Sequence, residues 1–272
     1  MDDKTAAPEW ADLPTEARHP ASRDLDRLAT EEVVALLIEE DRRGLDAALR
    51  HRGEIARAAE CPPTFGTDPE RIRAAMAGGA EAVFAAREGA EDREDEGRRA
   101  AEGLGPGDLL IALSASSVTP FPRGALIAAR ERGAGTVLLT CAAQEGLAGL
   151  ADLVLALETG PEILTGSTRL KAGSATKAAL NAVTTAAMVR LGKVFENWMV
   201  DLRPGSAKLR DRGVRIVAEA GGVPRERAEE LLAAAGGEVK TALVMARLGV
   251  GAEDARRRLA AAAGSVRRAL EG

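Results

Sequence analysis

With 272 residues, 46% of them hydrophobic, the chain is long enough for one large domain, alone or with a small appendage, around a real core. Aromatic residues make up 2% and Tyr is missing, so the core must come from Leu, Val, Ile and Ala, which favours helices packed on a sheet over an aromatic-rich β-sandwich. A formal net charge of −5 without a long Lys/Arg block argues against nucleic acid as the main ligand, and two Cys with two His leave little for a disulfide framework, a zinc site or a His-based triad.

The N-terminal Met1-Asp2-Asp3-Lys4 is acidic and lacks the apolar run of a signal peptide, and no later stretch is apolar enough to span a bilayer. A cytoplasmic protein is expected. Pro8, Pro14 and Pro20 make residues 1–29 an extended arm. Thr30, followed by Glu31 and Glu32, has the character of an N-cap for a helix that runs past Leu49. Pro62-Pro63 breaks the pattern; residues 73–77 then form a candidate short strand, and 80–101 a helix with a charged outer face. After the turn glycines Gly103, Gly105 and Gly107, residues 108–114 are a short apolar run of the kind found in buried parallel strands. A loop at 115–120 leads into a helix ending at Arg132, followed by strands at 136–141 and 153–157. This β-α-β-α-β order implies a parallel sheet covered by helices.

Leu180, Val183, Ala187 and Leu191 have helical spacing on a long segment expected to start near Thr168 and end around Gly192. Arg203-Pro204-Gly205 marks a boundary, and the rest divides at Gly221-Gly222 and Gly236-Gly237 into short helices at 207–220, 225–235, 239–248 and 252–263. The chain is thus expected to comprise an arm (1–29), an α/β domain (30–203) and a compact helical module (204–272).

Cys61 and Cys141 are expected as packed small hydrophobes, and His19 and His51 as surface or loop polar residues, so acid–base chemistry falls to carboxylates or lysines. In Glu60-Cys61-Pro62-Pro63 the prolines fix an extended backbone directly after an acid, although most acids near such turns are solvated. Glu91 stands in a dense run of charge, Glu88 to Glu96, that composition alone reads as a solvated face.

Five segments carry a more specific signal: Glu-Cys-Pro-Pro-Thr-Phe-Gly at 60–66, Ala-Gly-Gly at 77–79, Glu-Gly-Ala-Glu-Asp at 88–92, Thr-Gly-Ser-Thr-Arg-Leu-Lys-Ala-Gly at 165–173 and Met-Val-Arg-Leu-Gly-Lys-Val at 188–194. With Thr15-Glu16-Ala17-Arg18 and Asp24-Leu25-Asp26, they resemble, in order and spacing, the N-acetylmuramic acid 6-phosphate etherase family. The resemblance implies a sugar isomerase-type α/β domain that binds phosphosugars, with a C-terminal module similar to a ubiquitin-associated fold, an architecture shared with the glucokinase regulatory protein. It further implies a metal-free and cofactor-free carbon–oxygen lyase, a homodimer, acting in cell-wall sugar recycling on a phosphorylated amino sugar. In the family one glutamate removes the C2 proton of the ring-opened sugar and another protonates the departing lactyl oxygen. Matched motif to motif, Glu60 is the acid and Glu91 the base, while Thr165, Ser167, Thr168 and Lys171 are substrate-binding candidates.

The chain also departs from the family pattern. Between the first helix and Glu60 the family carries a strand and the phosphate loop Gly-Ala-Gly-Thr-Ser-Gly-Arg; here Ile55-Ala56-Arg57-Ala58-Ala59 runs straight into Glu60, so the sheet is expected to be one strand short. Where the family has Ala-Ser-Gly-Arg-Thr-Pro, this chain has Ala115-Ser116-Ser117-Val118-Thr119-Pro120. Ser116, Ser117 and Thr119 could bind phosphate or simply cap the following helix. Asn-Glu-Lys-Leu of the family becomes Ser206-Ala207-Lys208-Leu209. These departures make a non-catalytic phosphosugar-binding regulator, or a partner subunit, the alternative to an active etherase.

Overall fold

The computed structural model of the chain describes residues 19–22, 30–52, 54–55, 73–142, 146–147, 149–202 and 206–272. They fall into two compact units, the first comprising the described residues up to 55 and Ala74–Val183, the second Arg73 and the described residues of Thr184–Gly272. No helix among the described residues is long and apolar enough to cross a membrane.

The first unit is built on a parallel sheet of three strands, β1 (Leu109–Leu113), β2 (Gly135–Thr140) and β3 (Leu153–Ala156), in that spatial order. Leu109 pairs with Gly135 and Leu113 with Leu139, while Val137 pairs with Leu153 and Thr140 with Ala156. Side chains alternate across the sheet as the pleat requires. Val137, Leu139 and Leu155 face Ala175, Ala179 and Val183 of a helix, α4 (Lys171–Arg190), together with Ala48 of α1 (Thr30–Arg50). Ala112 and Leu138 face the other way, against Leu126 of α3 (Pro120–Glu131). The expected α/β architecture, a parallel sheet between helices, is what the chain forms, and small alanines let both helical layers approach closely.

Two segments differ from expectation. Residues 73–77 form no strand: residues 73–76 are exposed and have no ladder partner among the described residues. A strand exists only where a neighbour accepts its backbone hydrogen bonds. Nor is 80–101 one helix. It breaks into two 3-10 turns, Ala80–Val83 and Ala90–Asp92, and a short helix α2 (Glu94–Ala100), separated by Gly89 at φ 71°. Neither 3-10 turn buries a residue, so no apolar face exists there to hold a long helix against the sheet. The packing of this stretch is carried mainly by α2, which meets α3 at backbone contact. A Cβ on Gly97 would lie 1.9 Å from the carbonyl oxygen of Phe121, and one on Gly124 2.2 Å from that of Glu94. The two glycines are reciprocal: each opens its helix to the backbone of the other.

In the second unit the expected helices appear as α5 (Ala207–Gly221), α6 (Arg225–Ala234), α7 (Val239–Leu248) and α8 (Ala252–Ala261). They share a core of Ile216, Val217, Leu231, Leu232, Leu243, Val244 and Leu259. Two elements were not anticipated: a two-stranded antiparallel hairpin, β4 (Val194–Phe195) with β5 (Trp198–Met199), and a final helix, α9 (Val266–Glu271). Ser206 caps α5, its hydroxyl accepting the Leu209 N–H at 3.3 Å.

Candidate functional site

The parallel strands end at a loop and a helix start that together form a cleft. Ligands of open α/β sheets bind at the carboxyl ends of the strands, and an open cleft of about 390 Å³ lies there, lined by Leu113, Ser114, Ala115, Thr168, Gly173, Thr176, Lys177, Leu180 and Asn181. On α4 the lining residues 173, 176, 177, 180 and 181 follow the spacing of a single helical stripe. A second open hollow of about 480 Å³ lies in the second unit, but its charged groups face one another: Lys240 pairs with Asp201 at 3.5 Å and Arg256 with Glu238 at 2.9 Å. The cleft at the strand ends combines hydroxyls, a cation and strand-end position, and is the better candidate.

The loop after β1 is tied tightly into the sheet. The backbone N–H of Ser114 donates to Leu139 O (3.1 Å) and that of Cys141 to Ala115 O (3.1 Å). The Ser114 hydroxyl donates to Thr119 Oγ1 at 3.0 Å, and Ser116 Oγ lies 3.4 Å from the same oxygen. Three hydroxyls therefore converge at the start of α3. Ser117 is buried with φ 68°, and its hydroxyl turns back to the Ser116 carbonyl. A left-handed backbone costs a residue with a Cβ about 1–2 kcal/mol. Ser117→Gly should therefore raise stability, by about 0.5–1 kcal/mol after allowing for the freer unfolded chain, read as a higher urea midpoint at unchanged slope.

Thr165, Ser167 and Thr168 precede α4, and of the three Thr168 lines the cleft: Thr165 is exposed, Ser167 and Thr168 are half-buried, and the Thr168 N–H donates to Gly166 O. The helix begins at Lys171, three residues later than expected, because a residue outside it sets its start. Glu162, fully buried, accepts the backbone N–H groups of Lys171 (3.2 Å) and Ala172 (2.9 Å) with its two carboxylate oxygens. A carboxylate at a helix N-terminus satisfies free donors and opposes the helix dipole.

Lys171 points away from the cleft lining. Its Nζ is buried 2.5 Å from Oε2 of Glu40 on α1. Arg43 donates to the other Glu40 oxygen at 2.6 Å, and His19 Nε2 lies 3.3 Å from Oε2. Burial by itself would raise the Glu40 carboxyl; the hydrogen bond from Lys171, with the charges of Lys171, His19 and Arg43, outweighs it and holds the group below its ordinary range. His19, expected as a surface or loop residue, is instead buried in this network, because the Ala21 N–H donates to its Nδ1 (3.2 Å) and turns the other nitrogen toward Glu40. Gly44 lets α1 come this close: a Cβ there would lie 2.9 Å from the Lys171 carbonyl. Cys141, at the end of β2, is a packed thiol as expected, pushed up by burial.

Glu91 is exposed, on the 3-10 turn packed against α3, and is not part of the cleft lining. Glu60, like Cys61 and the arm before His19, lies outside the described residues. The structure thus brings Ser116, Ser117 and Thr119 into one tied loop, puts Thr168 in the cleft wall, and sets Lys171 in a buried ion pair. Sequence reasoning passed over Ser114, Thr176, Lys177, Asn181 and Glu162. The helical stripe after Gly173 could have exposed Thr176, Lys177 and Asn181; nothing local marks Glu162, whose partners stand nine and ten positions away.

The chain is 42% identical to the N-acetylmuramic acid 6-phosphate etherase of Parasynechococcus marenigrum, over 88% of this chain and 86% of the relative. It is 45% identical to that of Rubrobacter xylanophilus, over 88% and 90%. The chain belongs to the N-acetylmuramic acid 6-phosphate etherase family. No family model matches it. The etherase of Salinibacter ruber is 41% identical over 97% of this chain and 96% of its own length. That alignment extends over 297 positions although this chain has 272 residues in all, so the relative carries residues that this etherase family member lacks.

Proposed function

We propose that the protein is a lyase that cleaves the D-lactyl ether of N-acetylmuramic acid 6-phosphate, giving N-acetylglucosamine 6-phosphate and D-lactate. The carrying observation is the alignment with etherases along nearly the whole chain. In this reading Glu91 takes the C2 proton of the ring-opened sugar, whose acidity comes from the neighbouring aldehyde. Glu60 gives a proton to the C3 oxygen as the C–O bond breaks. Water then adds at C3 of the unsaturated aldehyde, so one water is consumed per lactate released. Elimination of this kind needs one carboxylate and one carboxylic acid at the same pH, which local environments can arrange by separating their pKa values.

Ser116, Ser117, Thr119, Thr165, Ser167 and Thr168 supply hydroxyls for the sugar phosphate in this proposal, and Lys171 supports the start of α4. The reading places the phosphosugar domain at 30–203, the helical module at 204–272 and the protein in the cytoplasm as a homodimer. Support for the dimer comes from α1, where Ile38, Leu45 and Leu49, at spacings of seven and four, form one exposed apolar stripe.

Purified protein should release D-lactate from N-acetylmuramic acid 6-phosphate, and a Glu60→Ala protein should not. Equal, background-level release from both would remove the catalytic reading. The residues missing relative to the Salinibacter etherase favour a second reading, a phosphosugar-binding regulator. It predicts stabilisation by sugar phosphate without turnover.

A further inference from the structure

We infer that Lys177 is the side chain that gives the strand-end cleft its selectivity for an anionic sugar, by binding the substrate's phosphate from α4. The inference rests on the cleft being the sugar-phosphate site of the function proposed above.

Three observations lead to it. Lys177 is the one ionisable side chain among the described residues that line the cleft. It is exposed, and it makes no ion pair with any described residue. Lys171, the nearer lysine to the turn carrying Thr165 to Thr168, has its charge matched inside the unit by Glu40 at 2.5 Å, with Arg43 and His19 on the same carboxylate. One lysine of α4 is thus consumed by the fold and the other faces open space.

The surroundings of Lys177 suit a phosphate. Position 118, at the mouth of α3, carries Val, so the loop after β1 contributes hydroxyls and no cation. Ser114 and Thr168 line the same cleft as Lys177, with Thr176 and Asn181 beside it on the helical stripe. Hydroxyls orient phosphate oxygens, and an ammonium supplies the charge that separates a phosphorylated sugar from its neutral parent. A lysine does this as a point charge on a flexible stem, which fits an open cleft better than a rigid bidentate fork would. Because the exposed ammonium has no ion pair among the described residues, engaging phosphate breaks none of their contacts.

The test compares binding of N-acetylglucosamine 6-phosphate and of unphosphorylated N-acetylglucosamine to wild type, Lys177→Met and Lys177→Arg by calorimetry. Wild type should prefer the phosphorylated sugar. Lys177→Met should weaken that ligand by about tenfold to a hundredfold and leave the neutral sugar unchanged, with thermal unfolding like wild type. Lys177→Arg should recover most of the preference. A Lys177→Met protein that keeps the full preference overturns the inference, as does a wild type with none. Lactate release is scored separately: a wild type that grips sugar phosphate through Lys177 yet releases no lactate sinks the etherase reading and leaves the anchor standing.

Discussion

A Glu91→Gln protein should fold like wild type and release D-lactate more slowly by about a hundredfold to ten-thousandfold, the usual contribution of a positioned general base. Folding should be spared because Glu91 is exposed on its 3-10 turn and holds no described partner. Its neighbours are engaged differently: Asp95 lies 3.2 Å from Arg93 and 2.9 Å from Arg99. Solvent deuterium separates the two glutamates. If Glu91 is the base, Glu91→Gln loses exchange at C2 along with lactate release, whereas a Glu60→Gln protein, deprived of its acid, still exchanges the C2 proton while releasing little lactate. Unchanged lactate release from Glu91→Gln would take that residue out of the reaction.

The largest stability effect is expected at Glu40. Glu40→Ala leaves the Lys171 ammonium buried without its carboxylate, and breaking a buried pair from one side costs about 3–5 kcal/mol. Removing both charges, in Glu40→Ala with Lys171→Met, should recover much of that loss, since an apolar pair needs no compensation. Urea unfolding of the three proteins measures the difference. The pH dependence has a definite sign. Because the Glu40 carboxyl is held below its ordinary range, its contribution is complete above the unfolded value, about pH 4, and disappears as pH falls through the lower folded value. The gap between wild type and Glu40→Ala should therefore be full at neutral pH and narrow on acidification. A gap that widened in acid would contradict the assignment of the ion pair.

The sheet and the helices were legible because their signals are local. Apolar runs bounded by glycine turns mark β1, β2 and β3, and the glycine pairs at 221–222 and 236–237 divide the second unit into its helices. What escaped depends on partners distant in sequence. A strand at 73–77 needs a neighbour, and none is present among the described residues. The helix over 80–101 needs a buried face, and the first half has none. Of the candidate site, the loop serines and Thr168 could be proposed from motif resemblance, but the contrast between a buried, paired Lys171 and an exposed Lys177 could not. It is decided by Glu40, 131 positions before Lys171 in the chain.

Glu162 has a consequence for how the cleft meets a ligand. Its carboxylate ties the end of the 163–170 turn back to the beginning, so Thr165, Ser167 and Thr168 ride on a closed ring whose circumference is set by a buried acid. The disorder such a segment would otherwise surrender on binding has already been surrendered during folding, so on the proposed function more of each contact with a sugar would survive as affinity. Lengthening or shortening the ring by one residue should loosen the ligand's hold even if every hydroxyl is kept.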